Sequence, residues 1–284
     1  MNKLLVVFLL LLSFELRSET LKFYPYQDQF KGDHFISLGL PGELHYLGRL
    51  TGTQEVTQFH HVDEECVGPY YSYAYPFLVN PETTCKVDIE KGEIELLSRD
   101  VAPKDSFSIR FLFSSKAGHV FILNNREFPN AKFGSVYLKI VSETGVTFKE
   151  IMTEVPGYSG AIDYFNGKIF MALSSGNSQN IIFSFPIDTV KELLKRNASM
   201  KFSAVAKKET ERFVGLSYGL IVNGDQYLLH NKTPYGEYES YIINLQGGAR
   251  TVLSLTAGCQ PLRLNSNSLL EFCGNGKLNN LTLP

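Results

Sequence analysis

The chain has 284 residues, of which 44% are hydrophobic, and a formal net charge of −2. That apolar share is enough for a sizeable core, and the interspersed charges, with no basic run, argue against a nucleic-acid or anionic-membrane partner. Fifteen Tyr and 21 Phe without a single Trp suit pleated surfaces more than a helical bundle.

Residues 1–18 stand apart. One cation at Lys3 precedes the unbroken apolar run Leu4–Leu12, and polar Glu15, Arg17 and Ser18 follow. This is the layout of a secretory signal peptide, and the run falls short of the ~20 apolar residues that span a bilayer. The expected organisation is a signal peptide over 1–18 and one domain over 19–284, in a secreted or periplasmic protein with no later transmembrane segment.

After the leader, residues 20–26 read as a lone strand with Pro25 near its end. Strands follow at 34–40, 43–50 and 55–62. Residues 70–79 read as one strand with Tyr71, Tyr73 and Tyr75 on one face at period two, continued by Phe77 and Val79. Two strands around Lys91-Gly92 come next.

From residue 106 a four-strand unit repeats. The first copy covers 106–113, 119–123, 135–141 and 146–152. The second covers 161–165, 168–173, 181–185 and 200–206, with the hairpin signal Asn166-Gly167. The third covers 213–222, 226–230, 238–244 and 249–255, with Asn223-Gly224 at the same turn. Strands at 260–264, 269–273 and 277–283 begin a fourth. One helix interrupts the pattern near 189–196, where Thr189 and Glu192 have capping-box spacing.

Turns recurring every roughly 40–57 residues, with four strands to a unit, resemble β-propeller proteins at the level of fold, with no narrower family indicated. The Trp-Asp signature of WD40 repeats is absent, since the chain has no Trp. The resemblance implies an all-β propeller of about six four-stranded blades, or five, closed by pairing the strand at 20–26 with the three C-terminal strands. An export route makes four cysteines readable as two disulfides. Three pairings exist. A hairpin turn at residues 265–268 would set Cys259 opposite Cys273, leaving Cys66 with Cys85.

Candidate chemistry is sparse. His60, His61, Asp63 and Glu65 gather metal-ligating groups, but on a strand the two imidazoles point to opposite faces. Gly215-Leu216-Ser217-Tyr218-Gly219 matches G-x-S-x-G, yet a further strand follows where a nucleophile elbow needs a helix. His119 and His230 occupy second strands of their units, at different heights. Tyr71, Tyr73 and Tyr75 offer phenols that can stack on a sugar or a peptide, or pack between sheets. The sequons at Asn197, Asn231 and Asn280 read as chance matches in an Asn-rich chain. No cofactor is expected, because no CxxCH or quinone-stacking Trp is present. The expected protein is a monomeric binding module for a protein or glycan; the other reading is a hydrolase or lyase acting on extracellular polymers.

Overall fold

The computed structural model describes residues 34–37, 46–49, 56–58, 61–66, 72–74, 76–88, 90–125, 132–174, 179–196, 198–210, 213–214, 216–223, 226–232, 238–244, 250–253, 259–265, 268–273 and 278–281. These fall into six sheets.

Sheet I is β1 (His34–Ser37), β2 (Tyr46–Arg49) and β3 (Val56–Gln58). Sheet II holds β4 (His61–Val62), β5 (Ser72–Ala74), β6 (Phe77–Val79), β7 (Thr83–Asp88) and β8 (Glu93–Arg99), in the order β4-β8-β7-β6-β5. Sheet III is the antiparallel meander β9 (Ser106–Ser115), β10 (Gly118–Asn125), β11 (Gly134–Ser142) and β12 (Gly145–Val155). Sheet IV repeats it with β13 (Tyr158–Phe165), β14 (Lys168–Ser174) and β15 (Gln179–Pro186). Sheet V is β19 (Leu216–Asn223), β20 (Gln226–Lys232), β21 (Tyr238–Asn244) and β22 (Arg250–Leu253). Sheet VI is β23 (Cys259–Asn265), β24 (Ser268–Cys273) and β25 (Leu278–Leu281).

The packing follows from strands that are apolar on both faces. In β10, Phe121 and Leu123 point into a core shared with Ala74 and Val79 of sheet II. The alternate residues Val120 and Ile122 point the other way, into a core shared with Ile169 and Met171 of sheet IV. In β14 the alternation continues: Phe170 and Ala172 meet Leu220, Val222 and Tyr227 of sheet V. Period two therefore serves two neighbours at once, as a strand buried on both faces requires. The first strands β5, β9, β13 and β19 lie side by side in succession. Sheets II to V packed face to face in chain order, with their first strands gathered innermost, define the architecture. The fold is a β-propeller. Closure of the ring and the final blade number depend on residues 20–26, which lie outside the described residues, as does the proposed leader.

Besides the stretch at 55–62, whose two ends pair in different sheets as β3 and β4, four details depart from the sequence reading. First, residues 70–79 are not one strand. The chain turns at Pro76, and β5 pairs back on β6, Tyr73 opposite Leu78. Proline lacks the amide needed to continue a ladder and favours turns.

Second, the strand expected at 200–206 is divided. β16 (Met200–Lys201) runs parallel to β12 of sheet III, a 3₁₀ turn spans Phe202–Ala204, and β17 (Lys207–Lys208) pairs with β15. Phe202 is buried edge-on against Phe183 and Phe185, so burial of this ring overrides the local strand pattern. The segment stitches the outer edges of sheets III and IV together.

Third, the stretch read as a strand from 213 is split. β18 (Phe213–Val214) pairs with β15 of sheet IV before β19 begins sheet V.

Fourth, the helix α1 spans Ile187–Lys195, so Thr189 lies inside it. Pro186 occupies the N-cap and no side chain caps the helix. What sets the helix is its apolar stripe: Ile187, Val190 and Leu193 are buried at helical spacing. Asp188 in the first turn suits the helix dipole and pairs with Lys191.

Candidate functional site: one ring face and the joints beneath it

Strand alternation assigns each connection to a face. The links from β8 to β9 and from β10 to β11 emerge on the same face, and Asn125 Nδ2 donates to Lys104 O at 3.3 Å across them. Two apolar side chains stand out from this face. Val101 is 93% exposed, and Phe133 is 43% exposed with the Lys132 ammonium 5.3 Å from its ring centroid. The β8–β9 link is nevertheless anchored, because the Ser106 hydroxyl donates to Pro103 O and Ala102 N donates to Asp100 O at 3.0 Å.

Beneath that face a buried ion pair joins sheets II and III. Lys139, in the middle of β11, is wholly buried, and its Nζ lies 2.6 Å from Asp100 Oδ2. It also donates to Asn80 O at 2.6 Å and Thr83 O at 2.9 Å, with Pro81 O at 3.4 Å. Asp100 is held by the Thr84 hydroxyl at 2.7 Å and the Ser98 hydroxyl at 2.8 Å. Burial pushes the Lys139 ammonium down to about 8, while Asp100 pulls the other way. A charge so deep is tolerated only when paired and hydrogen-bonded, as it is here.

A second buried pair links the inner strands. Arg110 of β9 donates to Asp163 Oδ1 of β13 at 3.2 Å, and Asp163 Oδ2 accepts the Val222 amide of β19 at 2.8 Å. One carboxylate thus ties three successive blades.

On the opposite face, at the β9–β10 hairpin, Ser114 Oγ and His119 Nδ1 are hydrogen-bonded at 2.9 Å. Phe77 meets the imidazole edge-on at 5.3 Å and Phe111 lies 6.1 Å away. Burial lowers the His119 pKa, which favours the neutral ring.

The residues singled out from the sequence do not gather at one place. Tyr73 is 1% exposed, so its ring packs in the core instead of facing solvent, while Tyr71 and Tyr75 lie outside the described residues. His60 is also outside them, and His61 is placed only by backbone, in β4 opposite Glu93. Asp63 caps the 3₁₀ turn Glu64–Cys66 by accepting the Glu65 amide at 3.1 Å. Glu65 takes both of its carboxylate oxygens to Arg99, and those hydrogen bonds hold its carboxyl below the usual range. Among the described residues no group of His, Cys, Asp and Glu is arranged to hold a metal.

Cys66 and Cys85 form a disulfide. The register sets Cys259 directly opposite Cys273, on either side of the turn at 265–268. Ser217 lies in β19, which continues as a strand to Asn223, and not at a strand-to-helix elbow. His119 begins β10 while His230 lies mid-way along β20, at a different height. Asn280 is in β25, opposite Leu270.

The four buried ions were missed. Their signal was a lone charge inside an apolar run: Arg110 in Ile109–Phe113, Lys139 between Leu138 and Ile140, and Asp163 in Ala161–Phe165. Asp100, in a connector, carried no such signal.

No family model matches the chain, and no curated protein matches it. Solved structures similar to it include the tricorn protease, at 11% identity and TM-score 0.44, over 94% of this chain and 33% of that one. The Myceliophteria thermophila Cps50 (Swd1) propeller domain aligns at 12% identity and TM-score 0.47, over 94% and 98% of the two chains. A putative TolB from Agrobacterium tumefaciens aligns at 12% and 0.37, over 93% and 81%. This chain spans about a third of the tricorn protease chain. These scores are low, and the propeller assignment rests on the chain's own sheets and inner-strand packing. Among the described residues no helix is long and apolar enough to cross a membrane.

Proposed function

We propose that this chain is an exported β-propeller that binds a protein or a glycan through the ring face bearing Val101 and Phe133. The observation that carries this reading is the exposure of those two side chains: a Val at 93% on a hydrogen-bonded link and a Phe at 43% just before β11, above a buried ion pair. Anchored apolar contacts lose little entropy when a partner covers them, and aromatic anchors dominate interface energetics. The Cys66–Cys85 disulfide supports export, since such bonds persist in oxidising compartments. The buried ions Lys139, Asp100, Arg110 and Asp163 are consumed in joining blades, which fits a scaffold role.

The test is binding of the purified secreted chain to a glycan array and to a panel of purified exported proteins. Wild type and the double variant Val101→Ser/Phe133→Ser are compared. Binding lost in the double variant supports the reading. Binding that survives it, or no binding to either panel, overturns this face as the site. Export is tested separately, by fusing residues 1–18 to a reporter and following its release.

The hydrolase reading has one observation in its favour, the Ser114–His119 contact. Labelling by a fluorophosphonate that is lost in Ser114→Ala would support it; labelling equal in both proteins, or none in either, would remove it.

A further inference from the structure

Lys139 Nζ is ringed by acceptor groups. The acceptors are all oxygens: the carbonyls of Asn80 at 2.6 Å, Thr83 at 2.9 Å and Pro81 at 3.4 Å, and Asp100 Oδ2 at 2.6 Å. Carbonyls plus one carboxylate are the donor chemistry of hard cations. The Phe148 ring, 5.7 Å from the nitrogen, adds a π-face that also favours positive charge.

The cage does not depend on Lys139 for its shape. Asn80 Oδ1 accepts the amides of Glu82 at 2.8 Å and Thr83 at 2.7 Å, which fixes the turn. Glu65 O accepts Asn80 Nδ2 at 3.3 Å and the Thr83 hydroxyl at 3.1 Å. Its neighbour Cys66 is bonded to Cys85 on β7. Asp100 is positioned by Thr84, by Ser98 and by its own amide, which donates to Glu82 O at 2.6 Å. Every one of these bonds lies within sheet II or its flanking turns. Only the ammonium and the Phe148 ring come from sheet III.

We propose that the Asn80–Thr83 turn and Asp100 form a preorganised monovalent-cation site, and that Lys139 is its tethered occupant. The site is suited to an ion of ammonium or potassium size, because its oxygens already accept an ammonium at hydrogen-bonding distance. Shortening the tether exposes the site to the solution ion. The blade II–blade III joint then becomes dependent on that ion, as ligand binding to the native state alone stabilises it.

The experiment uses the full chain with Lys139→Ala, unfolded thermally in chlorides of ammonium, potassium, methylammonium and choline at equal ionic strength. In choline the variant melts below wild type. Ammonium, potassium or methylammonium recovers most of that loss, saturably, while wild type does not respond. Adding Asp100→Asn to Lys139→Ala abolishes the recovery. Lys139→Met, whose uncharged side chain fills the cage, does not respond to any salt. An equal response of Lys139→Ala to all four cations overturns the proposal, as does a Lys139→Met response of the same size. If Lys139→Ala fails to fold in choline, refolding yield replaces melting: recovery confined to the small cations supports the site, and no recovery in any salt overturns it.

Discussion

Asp163 accepts the Arg110 guanidinium at 3.2 Å on one carboxylate oxygen and the Val222 amide at 2.8 Å on the other. The donors belong to the blades on either side, so one buried side chain sets the spacing of three inner strands. Asp163→Ala leaves a buried guanidinium and a buried amide short of an acceptor. The expected loss is about 3–5 kcal/mol in urea unfolding. Hydrogen exchange at the Val222 amide accelerates as well. Asp163→Asn is no rescue, because its amide offers one acceptor oxygen to two donors. An unchanged exchange rate at Val222 would count against the tie.

The Lys139–Asp100 pair behaves as a unit. Asp100→Ala costs about 3–5 kcal/mol, since it strands a buried ammonium. Combining Lys139→Met with Asp100→Asn costs less than the sum of the single changes, with a coupling of about 0.5–3 kcal/mol. Strict additivity in the double-mutant cycle would show that the contact carries no energy of its own.

The same lysine gives a pH signature. Burial lowers it to about 8 in the folded protein, and an unfolded lysine titrates near about 10.4. Between those values the unfolded chain holds more protons, so the stability contributed by this group rises with pH. Below pH 8 both states are charged and the contribution is flat. Lys139→Met lacks the titration, so wild type should gain on it by about 2–3 kcal/mol between pH 7 and pH 10. A constant difference between the two proteins would refute this.

The Cys66–Cys85 bridge closes a loop of sequence separation 19. Replacing both residues by Ser releases that constraint on the unfolded chain, at about 3 kcal/mol. The bridge also holds the 3₁₀ turn whose Glu65 carbonyl braces Asn80 and Thr83. Exchange at the Thr83 amide should therefore rise along with the fall in the urea midpoint. A midpoint identical to wild type would show the bridge to be idle.

The helix distinguishes cap from packing. Thr189→Ala should stay within about 0.5 kcal/mol of wild type, because no side chain caps α1. Leu193→Ala, at a buried position, should cost about 2–5 kcal/mol. The reverse order would restore the capping box as the determinant.

Much of the architecture was legible because it is local. Strand length, period two and turn residues such as Asn166-Gly167 are written in consecutive positions, and the hairpins form where those signals fall. The Cys259–Cys273 register followed from the same symmetry about the turn at 265–268. The errors occur where a distant contact outweighs the local signal. Phe202 leaves a strand pattern to reach Phe183 and Phe185. Thr189 has cap spacing, but the apolar stripe starts the helix at Ile187 instead. Tyr73 joined a face with Phe77 only while the turn at Pro76 went unread.

The amino-acid sequence by itself determined the strands, their hairpin registers and the repeat that makes blades, because hydrogen bonding between adjacent segments depends on neighbours only a few residues away. Only the tertiary structure decided which charges are buried and with whom: Lys139 meets Asp100 across 39 positions of chain, and Arg110 meets Asp163 across 53. Those partners are chosen by the stacking of blade on blade, where a low-dielectric interior makes an unpaired charge too costly to keep.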